Sequence, residues 1–132
     1  MLEIRAARKI FYKGQPDEKI ALNGLNLKLG NGDFAVVIGS NGAGKSSMLN
    51  AISGALKLDS GNIVINGDDI TEKTVHKSAV HIARVFQDPM LGTASSMTVA
   101  ENMLLAELRG KPHTLRPGLN ARRLSDYRER LA

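Results

Sequence analysis

The chain has 132 residues, of which 42% are hydrophobic and 23% charged, with a formal net charge of +5. This length allows one modest hydrophobic core, and the absence of cysteine excludes disulfides and thiolate metal sites. No apolar stretch approaches the roughly 20 residues of a membrane-spanning helix, and the first residues lack the apolar segment of a signal peptide. We therefore expect a soluble, cytoplasmic protein.

The positive charge is concentrated late in the sequence. Seven basic residues fall within the last 24 positions: Arg109, Lys111, Arg116, Arg122, Arg123, Arg128 and Arg130. Such a segment can bind nucleic acid or anionic lipid, but a charge run is more often a solvated helix face or a docking surface. We therefore do not expect nucleic acid as a partner.

The first thirty residues have the pattern of an antiparallel strand pair. Alternation of Leu2, Ile4 and Ala6 with polar neighbours predicts a strand over residues 2–12. A second alternating segment predicts a strand over residues 20–29. The segment between them is rich in turn-forming residues.

A glycine-rich motif follows this strand pair. Residues 39–46 read Gly-Ser-Asn-Gly-Ala-Gly-Lys-Ser, which satisfies the P-loop pattern G-x-x-x-x-G-K-[ST]. The mostly apolar residues 33–38 predict a buried parallel strand before the loop. Residues 45–53 predict a helix after it, with Gly54 as a stop. The order of strand, glycine loop and helix indicates a nucleoside triphosphate as the ligand.

The chemistry of the motif explains this ligand. Glycines let the backbone wrap closely around phosphate oxygens, so that N–H groups converge on the anion at a helix N-terminus. Lys45 supplies a charge to the β- and γ-phosphates, Ser46 is placed to bind Mg²⁺, and Ser47 can reach the α-phosphate. The predicted ATP site comprises Gly39, Ser40, Asn41, Gly42, Ala43, Gly44, Lys45, Ser46 and Ser47.

The rest of the chain alternates short elements with turns. The pattern predicts, in order, a turn at 58–61, a strand at 62–66, a turn at 67–69, a short helix at 74–79, a second parallel strand at 82–86, a helix at 98–109, a linker at 111–118 and a charged helix at 119–131. The helix at 98–109 begins with a capping box, formed by Thr98 and Glu101.

The order of these elements resembles the nucleotide-binding domains of ABC transporters. The approach to the P-loop, Ala-Leu-Asn-Gly-Leu-Asn-Leu-Lys-Leu at 21–29, is similar to that family, and so is Leu-Asp-Ser-Gly-Asn-Ile-Val-Ile-Asn-Gly at 58–67. The resemblance covers residues 1–110. It implies an α/β fold: a P-loop NTPase of ABC type with an N-terminal antiparallel β-subdomain, the first part of a parallel-sheet core and the start of a helical subdomain, to which residues 111–132 would belong.

The resemblance also implies roles for residues outside the P-loop. An aromatic residue near the end of the first strand commonly stacks on adenine in this family, and either Phe11 or Tyr12 can fill that position; an ordinary packing role in the strand is the alternative. Gln87 resembles the Q-loop glutamine, which contacts Mg²⁺ and the attacking water. A polar strand end is the alternative for Gln87.

Residues 96–102 resemble the segment that faces the membrane subunit of a transporter. Residues 92–94 are similar to those of ATPases of an uncharacterised group of bacterial importers. The resemblance therefore implies an importer ATPase that works as a homodimer or heterodimer with membrane subunits, peripherally at the inner face of the cell membrane. It does not identify the transported solute.

Several parts that hydrolysis requires in this family are missing from the sequence. No apolar run ends in Asp-Glu, which would supply the Walker B aspartate and the catalytic base, and the Leu124-Ser125 pair is not followed by the glycines of a signature loop. The histidines His76, His81 and His113 stand in the wrong setting for the switch histidine.

We therefore expect the N-terminal portion of an ABC ATPase, truncated at Ala132, that binds Mg-ATP with negligible hydrolysis. Two other functions stay open: a non-transport ABC protein that acts on nucleic acid, and a stand-alone nucleotide-binding module.

Overall fold

The computed structural model describes residues 1–111 and 118–131. Its elements are β1 (Leu2–Phe11), β2 (Lys19–Leu29), α1 (Lys45–Ile52), β3 (Ser60–Ile65), β4 (Asp68–Asp69), α2 (Val75–Ser78), a 3₁₀ helix (Pro89–Gly92), α3 (Val99–Glu107) and α4 (Ala121–Leu131). None of the helices in the described part of the chain combines the length and apolarity that crossing a bilayer requires. The chain divides into two compact units, Met1–His81 and Ile82–Ala132.

The first unit is built on a four-stranded antiparallel sheet with the strand order β2-β1-β3-β4. The predicted strands at 2–12 and 20–29 are confirmed as β1 and β2, and the turn-rich segment between them is a loop. Their register places Leu2 opposite Leu29 at one end and Phe11 opposite Lys19 at the other. The loop end of this hairpin therefore brings an aromatic residue and a cation together.

A β-bulge at Ala6 changes which residues of β1 face the core. Ala6 has a positive φ of 47°, and its N–H donates to Asn26 Oδ1 at 2.9 Å. The register shifts between Ile4 and Ala7, so Ala7 is buried and Ala6 is exposed. The alternation of Leu2, Ile4 and Ala6 therefore does not match the buried side of β1 beyond Ile4, because an extra residue inverts the inside–outside order of a strand.

The tight turn between β3 and β4 has the Asn-Gly sequence typical of hairpins. Asn66 and Gly67 have φ angles of 51° and 85°, as a type I′ turn requires. The predicted turn at 67–69 is therefore wrong at its end, since Asp68 and Asp69 belong to β4 and pair with Ile65 and Val64.

Asp59, in the turn before β3, ties that turn to the end of β1. One carboxylate oxygen accepts from the Ile10 N–H at 2.6 Å, and the other accepts from Lys9 Nζ at 3.0 Å. The Asp59 N–H also donates to the Arg8 carbonyl at 2.8 Å. The Ile10 N–H, and after it the Lys9 ammonium, holds the pKa of Asp59 below its ordinary value of 3.8. These three hydrogen bonds hold in place the end of β1 that carries Phe11.

The helix after the P-loop packs against the sheet. α1 buries Met48 and Ala51, and Gly54 follows it with a φ of 75°, as the predicted stop requires. The short helix predicted at 74–79 is confirmed as α2, with Thr74 at its N-cap position. The apolar core of this unit consists of Ile4, Ala7, Leu22, Met48, Ala51, Ile63, Ile65 and Ile70.

Neither predicted parallel strand forms. Residues 33–38 and 82–86 have no strand conformation, and apolar side chains in them lie in solvent: Phe34 is 91% exposed, Ile38 89% and Val85 96%. A β-strand is stabilised by hydrogen bonds to a neighbouring strand. Within residues 1–111 and 118–131 no strand pairs with either segment. Local sequence supplied the apolar pattern, but the strand also needs a partner.

The second unit is held by contacts around α3. Its predicted capping box is present, with Thr98 and Glu101 bonded to each other's backbone N–H. The predicted charged helix at 119–131 is confirmed as α4. Its Tyr127 is buried, and the Tyr127 hydroxyl donates to the Glu107 carboxylate of α3 at 2.5 Å. Residues 112–117 of the predicted linker at 111–118 lie outside the described residues, and they include His113 and Arg116. Ala132 also lies outside the described residues.

Replacement of Gly61 by alanine is expected to destabilise the sheet strongly. A Cβ at this position would lie 2.4 Å from the Ala6 carbonyl oxygen, at a φ of 87°. We expect the free energy of unfolding in urea to fall by about 2–4 kcal/mol. Gly67→Ala is the matched control: its φ is 85°, but nothing lies within 4 Å of the added Cβ, so the loss should be about 1 kcal/mol. Equal losses of stability in Gly61→Ala and Gly67→Ala would show that the close approach of Gly61 to the Ala6 carbonyl is not what requires glycine.

Asp59 is expected to make stability depend on pH. Because its folded pKa is lowered, its contribution is fully present above pH 3.8 and is lost as the pH falls through the folded pKa. The melting temperature of the wild-type chain should therefore exceed that of Asp59→Asn at pH 6, and the difference should shrink toward pH 3. Asp17→Asn, an exposed aspartate in the β1–β2 loop, is the control. A difference that is constant with pH would contradict this prediction.

Candidate functional site

A cavity of about 290 Å³ lies in the first unit between the glycine-rich loop and the hairpin of β1 and β2. It is lined by Phe11, Lys19, Ala21, Asn41, Gly42, Ala43, Gly44, Lys45, Ser46 and Ser47. Of these described residues, two are cations and none is acidic. The cavity is therefore positively charged and suits an anion.

The loop lies against the backbone of β2. A Cβ on Gly44 would lie 2.2 Å from the Ala21 carbonyl oxygen, and Gly44 has a φ of 87°. Only glycine fits this conformation and this distance. Gly44 is also the N-cap residue of α1 and provides no side-chain cap, so the first N–H groups of the helix stay available for an anion in the cavity.

Lys45 is held inside the loop that it follows. Its Nζ donates to the Gly39 carbonyl at 2.6 Å and to the Ser40 carbonyl at 2.8 Å. The Ala43 N–H donates to the Ser40 carbonyl at 3.2 Å and closes the loop further. Gly39 and Ser40 therefore hold the lysine through their carbonyls and do not line the cavity.

The serines of the motif are placed differently. Ser46 is exposed and Ser47 half-buried, and both line the cavity. The Ser46 hydroxyl makes no hydrogen bond to any residue that the structure describes. It is thus available to a ligand, and its predicted role at Mg²⁺ stays a prediction.

The structure distinguishes the two aromatic candidates. Phe11 is half-buried and lines the cavity, and Lys9 Nζ lies 5.9 Å from the centre of its ring. Tyr12 is 60% exposed, has a φ of 55°, and is not one of the lining residues. Phe11 is therefore the aromatic residue that the fold presents to the cavity.

Gln87, the other predicted site residue, belongs to the second unit. It is exposed and lies in a bend immediately before the 3₁₀ helix Pro89–Gly92. Its predicted role stays a prediction.

Two lining residues, Lys19 and Ala21, were missed by the sequence analysis. Both belong to β2 and face the cavity because of the hairpin register. A seven-residue loop, 12–18, joins the strands, and a loop of that length does not fix a register in advance. The sequence nevertheless places Lys19 immediately before the alternating segment, at the expected start of the second strand.

Comparison with known proteins identifies the family. The family model described as "ABC transporter" matches residues 22–132. A tyrosine transport ATP-binding protein of Clostridioides difficile is 42% identical over 111 residues, which are 84% of this chain and 44% of that protein. A probable branched-chain amino acid transport ATP-binding protein of Archaeoglobus fulgidus is 41% identical over 65% of this chain and 33% of its own length. The chain thus spans less than half the length of these relatives.

Solved structures support the same assignment. A nucleotide-free ATP-binding cassette from an ABC transporter is 32% identical with a TM-score of 0.67, covering 98% of this chain and 46% of that one. An ATP-binding cassette in its ADP conformation is also 32% identical, with a TM-score of 0.67, and covers 96% of this chain and 45% of that one. The predicted P-loop NTPase fold of ABC type is confirmed. The chain belongs to the ABC transporter family of ATP-binding proteins.

Proposed function

We propose that this chain binds Mg-ATP in the cavity of the first unit and is the ATP-binding part of an ABC importer. The observation that carries the proposal is the P-loop itself: a glycine loop seated on β2, a lysine held in its centre and an uncapped helix N-terminus open to one cavity. This combination of backbone donors and charge is what a polyphosphate requires. The ADP conformation of a relative agrees with such a ligand.

Each part of the cavity has a proposed partner on the nucleotide. The backbone N–H groups of residues 41–47 and the Lys45 ammonium bind the phosphates, with the Ser47 hydroxyl at the α-phosphate. Phe11 stacks on the adenine ring in an offset arrangement. Tyr12 is the second choice for this role, because it would have to turn toward the cavity from its exposed position.

Mg²⁺ would be held by Ser46 together with phosphate oxygens. The described residues contain no group of three or more acidic, histidine or cysteine side chains that could hold a metal. This suits Mg²⁺, which keeps several waters and relies on substrate phosphates more than on a protein cage. When bound, the ion neutralises phosphate charge. Gln87 is proposed as a further contact to the ion and to the attacking water, since an amide can both accept and donate hydrogen bonds.

The proposed transport role derives from the relatives, whose names describe ATP-binding proteins of amino acid and other transport systems. We propose that the chain functions with membrane subunits at the inner face of the cell membrane and pairs with a second ATPase subunit, as a dimeric cassette structure of similar fold illustrates. Residues 1–110 would form the nucleotide-binding part and residues 111–132 the start of a helical subdomain.

The chain by itself is proposed to hydrolyse ATP negligibly. Phosphoryl transfer depends on positioning and on groups that stabilise charge in the transition state. The sequence contains no apolar run ending in Asp-Glu and no signature loop. Without these groups a bound ATP lacks a general base and a second set of phosphate contacts.

Mg-ATP is expected to raise the melting temperature of the chain. A ligand bound only by the folded state stabilises it by about 2.7 kcal/mol at a hundredfold excess over Kd. Lys45→Ala should abolish the shift, because it removes the charge in the loop. Lys57→Ala, which removes an exposed lysine paired with Glu72, should keep it. Equal shifts in the wild type and in Lys45→Ala would contradict binding at the P-loop.

Phosphate release from Mg-ATP is expected to be at the background rate for the wild-type chain. Lys45→Ala should give the same rate, because no catalytic base is present for the lysine to assist. The measurement is a steady-state phosphate assay at saturating nucleotide. A wild-type rate that disappears in Lys45→Ala would show that this chain hydrolyses ATP without those missing parts.

A further inference from the structure

Lys19, the first residue of β2, lies beside the aromatic residue of the cavity. It is directly opposite Phe11 in the antiparallel register, and opposite residues in such a pair have side chains on the same face of the sheet. Both side chains line the cavity. The hairpin therefore presents a flat apolar ring and a flexible cation to the same ligand.

The ammonium of Lys19 lies over the glycine loop and has no partner among the residues that the structure describes. Its Nζ is 3.2 Å from the position of a Cβ on Gly42, so it reaches the P-loop backbone. No described carboxylate or carbonyl accepts a hydrogen bond from it. By contrast, Lys9 pairs with Asp59, and Lys45 donates to two loop carbonyls. Lys19 is thus the cation of the cavity with all three of its donors available.

We propose that Lys19 is a second cation for the polyphosphate of a nucleoside di- or triphosphate. The inference rests on the proposed nucleotide binding and adds a residue to it that the P-loop motif does not contain. The phosphates are the chemically matched partner, because an ammonium is a compact point charge that suits phosphate oxygens. The adenine ring instead matches the face of Phe11. Lys19 therefore favours charged nucleotides over the nucleoside.

The test compares three probes and four variants of the full chain. Dissociation constants are measured for Mg-ATP, inorganic tripolyphosphate and adenosine at low and moderate salt. Lys19→Met removes the charge and keeps a long apolar stem, and Lys19→Arg keeps the charge. Lys28→Met is the matched control, an exposed lysine of the same strand about 30 Å further along at the usual rise per residue. Lys45→Ala reports on the P-loop itself.

The loss of affinity in Lys19→Met is expected to be confined to the phosphate-bearing probes. Lys19→Met should raise the Kd for Mg-ATP and for tripolyphosphate about three- to tenfold, a range that reflects the exposure of the side chain. The Kd for adenosine should be unchanged. Lys19→Arg should stay within about twofold of the wild type, and Lys28→Met should not differ from it. The loss should also become smaller as salt is added.

Three outcomes would overturn the inference. If Lys19→Met binds Mg-ATP as the wild type does, while Lys45→Ala does not bind, Lys19 has no role and the proposed nucleotide binding survives. If Lys19→Met raises the Kd for adenosine as much as the Kd for Mg-ATP, the residue positions the base and not the phosphates. If the wild type binds no nucleotide, the proposed function fails as well. Melting of Lys19→Met without ligand, expected to match the wild type, shows that the variant is folded.

Discussion

The seating of the glycine loop on β2 is the constraint on which the candidate site depends. Any side chain at Gly44 would meet the Ala21 carbonyl at 2.2 Å, so the loop reaches the sheet only because that residue has no Cβ. The same residue is the N-cap of α1, whose first residues line the cavity and whose first N–H groups receive no side-chain cap. One backbone contact therefore fixes the loop, the helix and the anion site together.

The antiparallel sheet determines what surrounds the phosphates. The bulge at Ala6 and the contact of Asp59 with the Ile10 N–H set the course of β1. The register of the hairpin then places Phe11 beside Lys19. An aromatic ring and a cation thus reach the P-loop from an element distant from it in sequence. The cavity is therefore bounded by the motif on one side and by the hairpin of β1 and β2 on the other.

The P-loop keeps its shape although the segment before it forms no strand. Residues 33–38 have no strand conformation, yet Lys45 still holds the carbonyls of Gly39 and Ser40. The loop is thus stabilised by its own hydrogen bonds and by β2. The apolar side chains of Phe34 and Ile38 are exposed, because burial of such a strand depends on neighbours on both sides.

The sequence alone determined the local features: the P-loop, α1 and the capping box at Thr98. Each rests on residues within a few positions of one another, so spacing predicts it. Features that join distant segments were decided by the tertiary structure. The bulge at Ala6 depends on Asn26, and the position of Lys19 depends on the strand register. The two predicted parallel strands do not form, and no strand in the described part of the chain pairs with either segment. Local pattern specifies what a segment can form, but contacts between segments decide what it forms and which side chains meet.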